Sequence, residues 1–431
     1  MKLNRLNTLF VFLMLFSVTA SAQIFSLRNT SSLYLFESRD SSFQKIKNYR
    51  ASDNLFFNFG SNLFSIRGNL NFYNDLNSSN SNKINSKVSS LNLSTEPFDE
   101  KIKLTLGRQF ISNNTGLGNI DGLNFTFRPN NNVYNFNLYG GWNVIKGEDK
   151  FFKNKFSDNS NFGASISTDL NNGFFYRFNY SNKNWKKENY TALRTDSLFE
   201  PTAVAVISNP NVEEFFSLDG SFENKSFHIY SRADYNFLSR TLSRANIFTK
   251  YKFSFPLNLS LEYFFREPRV NFNSIFSVFH TTSINEIEIS ADYRLNNNFN
   301  FFTKFANVKY VDESSQRISL GLLYKKLNIN YTKNFGYAGD LNGISLFCAH
   351  QIFENILFLN YGLGFATYKY DDYSPQSDVA NLMLGSTYKI SDKFIADVNF
   401  QFLKNPQFKT DVRGLFKISY LMSENFTTKN E

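Results

Sequence analysis

The chain has 431 residues, a formal net charge of +9, one cysteine, and aromatic residues at 18% of its positions, 52 of them Phe and 23 Tyr. A single cysteine excludes an intramolecular disulfide, the usual staple of thin-cored secreted domains. The basic residues are spread along the chain, not clustered, which argues against nucleic acid as a partner, and the slightly negative mean hydropathy of −0.35 is the average expected where apolar and polar residues alternate.

Residues 1–22 read as a secretory signal peptide. Lys2 and Arg5 supply the positive start, Leu9 to Phe16 an apolar run, and Ala20-Ser21-Ala22 a small-residue cleavage site before Gln23. The apolar run is too short for a spanning helix. No cysteine follows the cleavage point, so a lipoprotein anchor is not expected. Residues 23–431 then form one domain.

A first strand is expected over about 24–37, with its lipid face left open because Leu33 and Leu35 alternate with Tyr34 and Phe36. A polar stretch (38–53) leads to two apolar-alternating segments separated by Ser61-Asn62, a hairpin signal. Another polar connection (75–83) precedes a strand over 84–95. Residues 101–142 then give the clearest pattern. Ile102, Leu104 and Leu106 share one face of the first segment, Leu123, Phe125 and Phe127 one face of the second, and Tyr134, Phe136 and Leu138 one face of the third. Period-2 alternation marks strands with one apolar and one polar face.

Long and short connections alternate from there. The connection at about 143–159 carries the charged GEDKFFKNK, and that at about 182–212 is the longest, with an apolar TAVAVIS. Unstructured connections of that length are usually functional, which makes it the expected constriction. In the second half, hairpins turn at Glu223-Asn224, Pro256, Asn296-Asn297, Lys325-Lys326, Glu354-Asn355 and Ser391-Asp392, and a loop spans 269–282. A last strand runs over about 410–422.

The pattern predicts an all-β fold: a closed antiparallel transmembrane β-barrel of about 22 strands, in the range 16–22. Such barrels have even strand numbers, short periplasmic turns and longer outer loops. Both termini are then expected in the periplasm, with the wall in the outer membrane among its lipids. Closure between first and last strands is required, because hydrocarbon satisfies no backbone polar group. Phe-rich outer faces suit lipid and subunit contacts equally, which leaves homo-oligomerisation open.

The faces opposite the aromatic ones define the expected lumen. They carry Lys101, Lys103, Arg128, Arg177, Arg232, Arg244, Lys250, Lys252, Arg266, Arg294, Lys304, Arg317, Arg413 and Lys417, against the acids Asp234, Glu262, Glu286, Glu288, Asp292 and Asp397. Basic rings favour anions in pores, so the interior is expected to prefer anions mildly. The competing reading is that these charges pair across strands and only hold the wall rigid.

The run Gly107-Arg108-Gln109, a Gly-rich loop, and Ile120-Asp121-Gly122-Leu123 resemble a motif of porin-like outer-membrane barrels of the alginate-export type. The resemblance covers about twenty residues and implies passive passage of small solutes or anionic polymers. No arginine ladder or uronate-binding cluster accompanies it. Arg108 and Asp121 are read as an ion-pair clasp at the pore rim, exposed and individually weak.

Catalysis is not expected, and neither is a cofactor or metal. The histidines are His228, His280 and His350, and no HExxH, P-loop, CxxC or GxSxG motif is present. An active transporter with a plug domain is disfavoured because strands begin almost at Gln23. The expected function is a porin-like channel for small solutes. The alternative is a barrel that anchors surface loops for adhesion or structure, which would call for longer aromatic-rich loops.

Overall fold

A computed structural model of the chain describes residues 24–39, 44–61, 64–77, 84–97, 101–112, 115–129, 133–144, 151–152, 155–170, 173–186, 189–195, 200–207, 211–268, 283–310, 313–336, 339–369, 373–406 and 409–425. The leader, the 269–282 loop and His280 lie outside them.

The first strands are β1 (Ile24–Arg39), β2 (Lys45–Gly60), β3 (Phe64–Asp75), β4 (Asn85–Thr95), β5 (Ile102–Ile111), β6 (Gly118–Phe127), β7 (Tyr134–Asn143), β8 (Ser160–Leu170) and β9 (Phe174–Trp185). After the short strands β10 (Tyr190–Thr195) and β11 (Pro201–Val206) come β12 (Asn211–Glu223), β13 (Phe227–Asn236), β14 (Thr241–Lys252), β15 (Leu257–Arg266), β16 (Ile284–Arg294) and β17 (Phe299–Lys309). The wall is completed by β18 (Ser314–Tyr324), β19 (Leu327–Gly336), β20 (Leu341–Phe353), β21 (Leu357–Tyr368), β22 (Ser377–Lys389), β23 (Phe394–Lys404) and β24 (Asp411–Asn425).

Twenty-two of these form one antiparallel sheet in which each strand pairs with its chain neighbours, β9 joining β12 across the β10–β11 hairpin. The sheet closes on itself. β1 pairs with β24 from Ile24 opposite Asn425 to Leu35 opposite Gly414. No helix among the described residues is long and apolar enough to cross a membrane; in this architecture the strands do the crossing, their backbone groups bonded to neighbouring strands.

Alternation divides the wall into two faces. Leu106, Leu123, Leu138, Phe178, Ile247, Ile289, Phe301, Leu363 and Phe400 are all exposed on the outside. The inner face is laced with side-chain hydrogen bonds, such as Ser32 to Ser52 (2.7 Å), Ser65 to Ser94 (2.7 Å) and Asn137 to Asn124 (2.6 Å). This inverts a soluble core: lipid meets the apolar side and water the polar one. The face of β1 is now fixed. Leu33 and Leu35 point outward and are exposed, while Tyr34 shares the inner face with its opposite neighbour Arg50.

The long connection after β9 is not structureless. Its β10 and β11 pair with each other, from Tyr190 opposite Val206 to Thr195 opposite Pro201. They form a separate two-stranded sheet, and Leu193 and Ile207 stand 76% and 72% exposed. Most of the apolar TAVAVIS run is strand β11.

Candidate channel lining and constriction

Residues 115–117, just before β6, form an inward-folded segment. Thr115 lies against the inner face of β9 and β12, where its hydroxyl oxygen accepts from Asn179 Nδ2 (2.9 Å), Ser181 Oγ (2.7 Å) and Ser217 Oγ (3.3 Å). Asn161 Nδ2 donates to the Gly116 carbonyl at 3.3 Å, and Lys183 Nζ to that of Leu117 at 2.9 Å. Beneath the segment, Ile111, Ile120 and Tyr139 form a small buried apolar cluster. Gly116 has no room for a side chain: a Cβ there would stand 2.0 Å from the Tyr139 hydroxyl. The segment is therefore fixed to β7, β8, β9 and β12 inside the barrel. Sequence reasoning assigned the constriction to residues 182–212 instead. The signal it passed over was the run of small polar inward positions, Asn161, Asn179, Ser181 and Ser217, which together make a seat.

All fourteen basic candidates lie at lumen-facing positions of the alternation, and half are neutralised there. Lys103 pairs with Glu96, Arg232 with Asp234 (2.9 Å), Lys304 with Glu288 (2.9 Å), Arg413 with Asp411 (2.8 Å), Lys252 with Glu223 (3.7 Å) and Lys417 with Asp397 (3.8 Å). Arg317 Nη2 bridges Glu286 at 2.5 Å and Glu288 at 2.9 Å. For these the cross-strand pairing reading holds. The other seven, Lys101, Arg128, Arg177, Arg244, Lys250, Arg266 and Arg294, have no recorded ion pair with a carboxylate among the described residues.

Three of the seven adjoin the inward segment. Cross-strand register runs Asn179–Ser217–Asp234–Arg244–Arg266 along one row, with Arg177–Asp219–Arg232 on the next. The seat of Thr115 thus continues directly into a basic row. Arg244 and Arg266 are opposite each other with no acid between, a like-charge arrangement that costs stability. Arg177 lies 5.0 Å from the Phe175 ring and Arg244 5.3 Å from that of Phe264, contacts that hold the guanidinium groups against the wall. The Arg244 Nε is buried without a hydrogen-bond partner. Across these two rows four arginines face two aspartates, so the wall beside the constriction is locally positive.

Arg108 and Asp121 do form the predicted pair, but it is neither exposed nor in the lumen. Arg108 Nε and Nη2 donate to the two Asp121 carboxylate oxygens at 2.7 and 2.8 Å. Both side chains share the outward parity of Leu106 and Leu123, and they are 0% and 2% exposed. The cover comes from the β7–β8 connection: the Phe151 ring lies 4.3 Å from the guanidinium carbon, and Phe152 N donates to Asp121 Oδ2 at 3.1 Å. Trp142 closes the edge, its ring 5.0 Å from those of Phe152 and Phe156. The Phe-Phe pair within the charged GEDKFFKNK was the overlooked signal.

The rest of the motif serves the same two strands. Gly107 has φ of 114°, and a Cβ would stand 2.4 Å from the Leu91 carbonyl, so glycine is required. On the inner face Gln109 Nε2 donates to the Thr105 and Gly122 carbonyls at 3.1 and 3.2 Å. A Cβ on Gly122 would meet the Gly140 carbonyl at 2.2 Å. The GRQ and IDG residues thus close the wall and anchor the base of the inward segment, and none is placed to contact a solute.

The described histidines are apart. His228 Nδ1 is 3.8 Å from Glu223 on the lumen face, and the His350 ring is 6.0 Å from Tyr361 on the outer face. No group of three His, Cys, Asp or Glu side chains able to hold a metal occurs among the described residues.

No known family model matches the sequence, and no curated protein sequence does. Solved structures do match. A point mutant of the ferric enterobactin receptor of Pseudomonas aeruginosa is 10% identical with a TM-score of 0.58, covering 92% of this chain and 80% of that one. OccAB3 of Acinetobacter baumannii is 11% identical with a TM-score of 0.45, covering 93% and 99%. OccD3 of Pseudomonas aeruginosa is 8% identical with a TM-score of 0.42, covering 92% and 91%. At such identities the likeness concerns architecture alone. The chain has the fold of the outer-membrane β-barrels, closed by 22 antiparallel strands.

Proposed function

We propose that this protein is a passive, porin-like channel that lets small solutes cross the outer membrane and favours anions. The observation that carries the reading is the segment 115–117 seated inside the barrel, beside arginines with no recorded ion pair to a carboxylate among the described residues. A 22-stranded barrel is wide enough for an aqueous lumen unless something fills it. Here the inward segment narrows one side and leaves basic side chains along the path. An anion passing Arg177, Arg244 and Arg266 loses part of its hydration and gains guanidinium donors in exchange. The paired charges of Glu286, Glu288, Lys304 and Arg317 keep the wall wet without adding net field.

Proteoliposome swelling tests this reading. Small neutral sugars are expected to enter, and carboxylates or phosphates of similar size faster than amines. Liposomes that hold folded protein but swell in none of these solutes would refute passive transport. Faster entry of amines would refute the anion preference alone.

A further inference from the structure

Among the described residues, a carboxylate interrupts the apolar outer face on β1 and β2. Outward positions of β1 run Phe25, Leu27, Asn29, Ser31, Leu33, Leu35, and those of β2 run Phe59, Phe57, Leu55, Asp53, Ala51. The lumen side of the same strands is marked by Ser32 with Ser52 (2.7 Å) and Thr30 with Ser419 (3.1 Å). By parity, Asn29, Ser31 and Asp53 face the hydrocarbon. Register confirms it: Ser31 is opposite Ile418 on one side and Asp53 on the other, and Asp53 is opposite Phe72. Ile418 and Phe72 are both exposed outer-wall residues.

Depth makes the break unusual. A tilted strand climbs roughly 2.5 Å of membrane height per residue, so Phe25 to Leu35 spans about 25 Å, the whole apolar band of such a barrel. Ser31 and Asp53 lie near its middle. Asp53 Oδ1 accepts from Asn29 Nδ2 at 3.1 Å and from Ser31 Oγ at 2.7 Å. No hydrogen bond to Oδ2 is recorded among the described residues. A carboxylate oxygen left toward lipid at this depth is costly, and ionisable groups there ordinarily turn inward or meet a partner. The surface around it is also recessed: Ser31, Ala51 and Asp53 floor a depression rimmed by Leu33, Phe72 and Phe416.

We infer that this face of β1 and β2 is where two copies of the chain meet, about a two-fold axis through the Asp53 patch. The patch carries an acceptor, Asp53 Oδ2, beside the second amide proton of Asn29, so it complements itself. A two-fold places Asp53 Oδ2 of each copy against the second amide proton of the other's Asn29, the first being donated within its own copy, in the isologous pattern of symmetric dimers. Acyl chains at this depth offer no donor to Asp53. Small residues at the floor let the two walls approach, as they do between membrane helices.

The test uses the full barrel in lipid nanodiscs and in native membranes. Native mass spectrometry is expected to show dimers for the parent protein. In a Cys348→Ala background, oxidation is expected to cross-link Ala51→Cys barrels, and to leave uncoupled Thr249→Cys barrels, whose cysteine lies on the far outer wall. Asp53→Leu is expected to raise the dimer dissociation constant tenfold or more, while heat-modifiable migration on gels shows the barrel still closed. A monomeric parent protein would overturn the inference, as would cross-linking at Ala51 no greater than at Thr249. A dimer indifferent to Asp53→Leu would overturn it too, and so would a phospholipid retained on a monomer through Asp53.

Discussion

Arg108→Ala is expected to destabilise the barrel by about 3–5 kcal/mol, the cost of stranding one member of a buried ion pair. Asp121 would be left as an uncompensated carboxylate under the Phe151 and Phe152 cover, on a wall that faces lipid. The Coulomb attraction is only part of the loss. The bidentate hydrogen bonds at 2.7 and 2.8 Å, the Arg108 Nη1 donation to the Val88 carbonyl at 3.1 Å and the Phe151 ring contact all go with it. An exposed pair would cost no more than about 1 kcal/mol, so the measurement separates the two situations by a clear margin. Unfolding in urea from lipid vesicles can be followed through Trp142, one of only two tryptophans, whose ring packs on the same cover. The double variant Arg108→Met/Asp121→Leu is expected to recover most of the loss, because replacing both partners removes the stranded charge. A single variant that costs less than about 1 kcal/mol would show that the pair is not buried.

The second large effect concerns selectivity. Replacing Arg177 and Arg244 together by Glu changes the local charge beside the constriction by four units. Reversal potentials across planar bilayers in a salt gradient are expected to move from anion preference, a chloride-to-potassium ratio of roughly 2–5, to a ratio below about 1. Arg317→Gln makes the contrast. It lies in a network balanced by Glu286 and Glu288 and away from the inward segment, so it is expected to change the ratio little. Equal shifts for the two variants would mean that selectivity is spread evenly along the lumen, with no special part for the arginines near Thr115.

The wall was legible in the sequence because a barrel strand has one period and two solvents. Ile102 to Leu106 and Leu123 to Phe127 show their lipid faces directly, and the neighbouring strands follow once the turns are located. Parity also puts Arg108 and Asp121 on the apolar side, with Leu106 and Leu123. What parity could not supply was their cover, since Phe151 and Phe152 reach them from a connection of another strand pair. The same limit applies to the constriction. Nothing local in residues 115–117 says that they turn inward; the reason lies in Asn179, Ser181 and Ser217, more than sixty residues away in the chain. The β10–β11 hairpin was missed for the opposite reason, its TAVAVIS run being short enough to read as a loop patch. Asp53 was overlooked because residues 38–53 read as a polar connection, whereas β2 begins at Lys45, and because the lipid face of β1 stayed open. With Leu33 and Leu35 assigned outward, Ser31 and Asn29 follow by parity, and Asp53 by register.

Single-channel conductance of the purified barrel in planar bilayers, before and after excision of residues 113–117, tests the central claim most directly. The account predicts discrete steps from the parent protein and steps on the order of twofold larger once the seated segment is removed. A folded parent barrel that gives no steps, or steps of the same size after the excision, would contradict it.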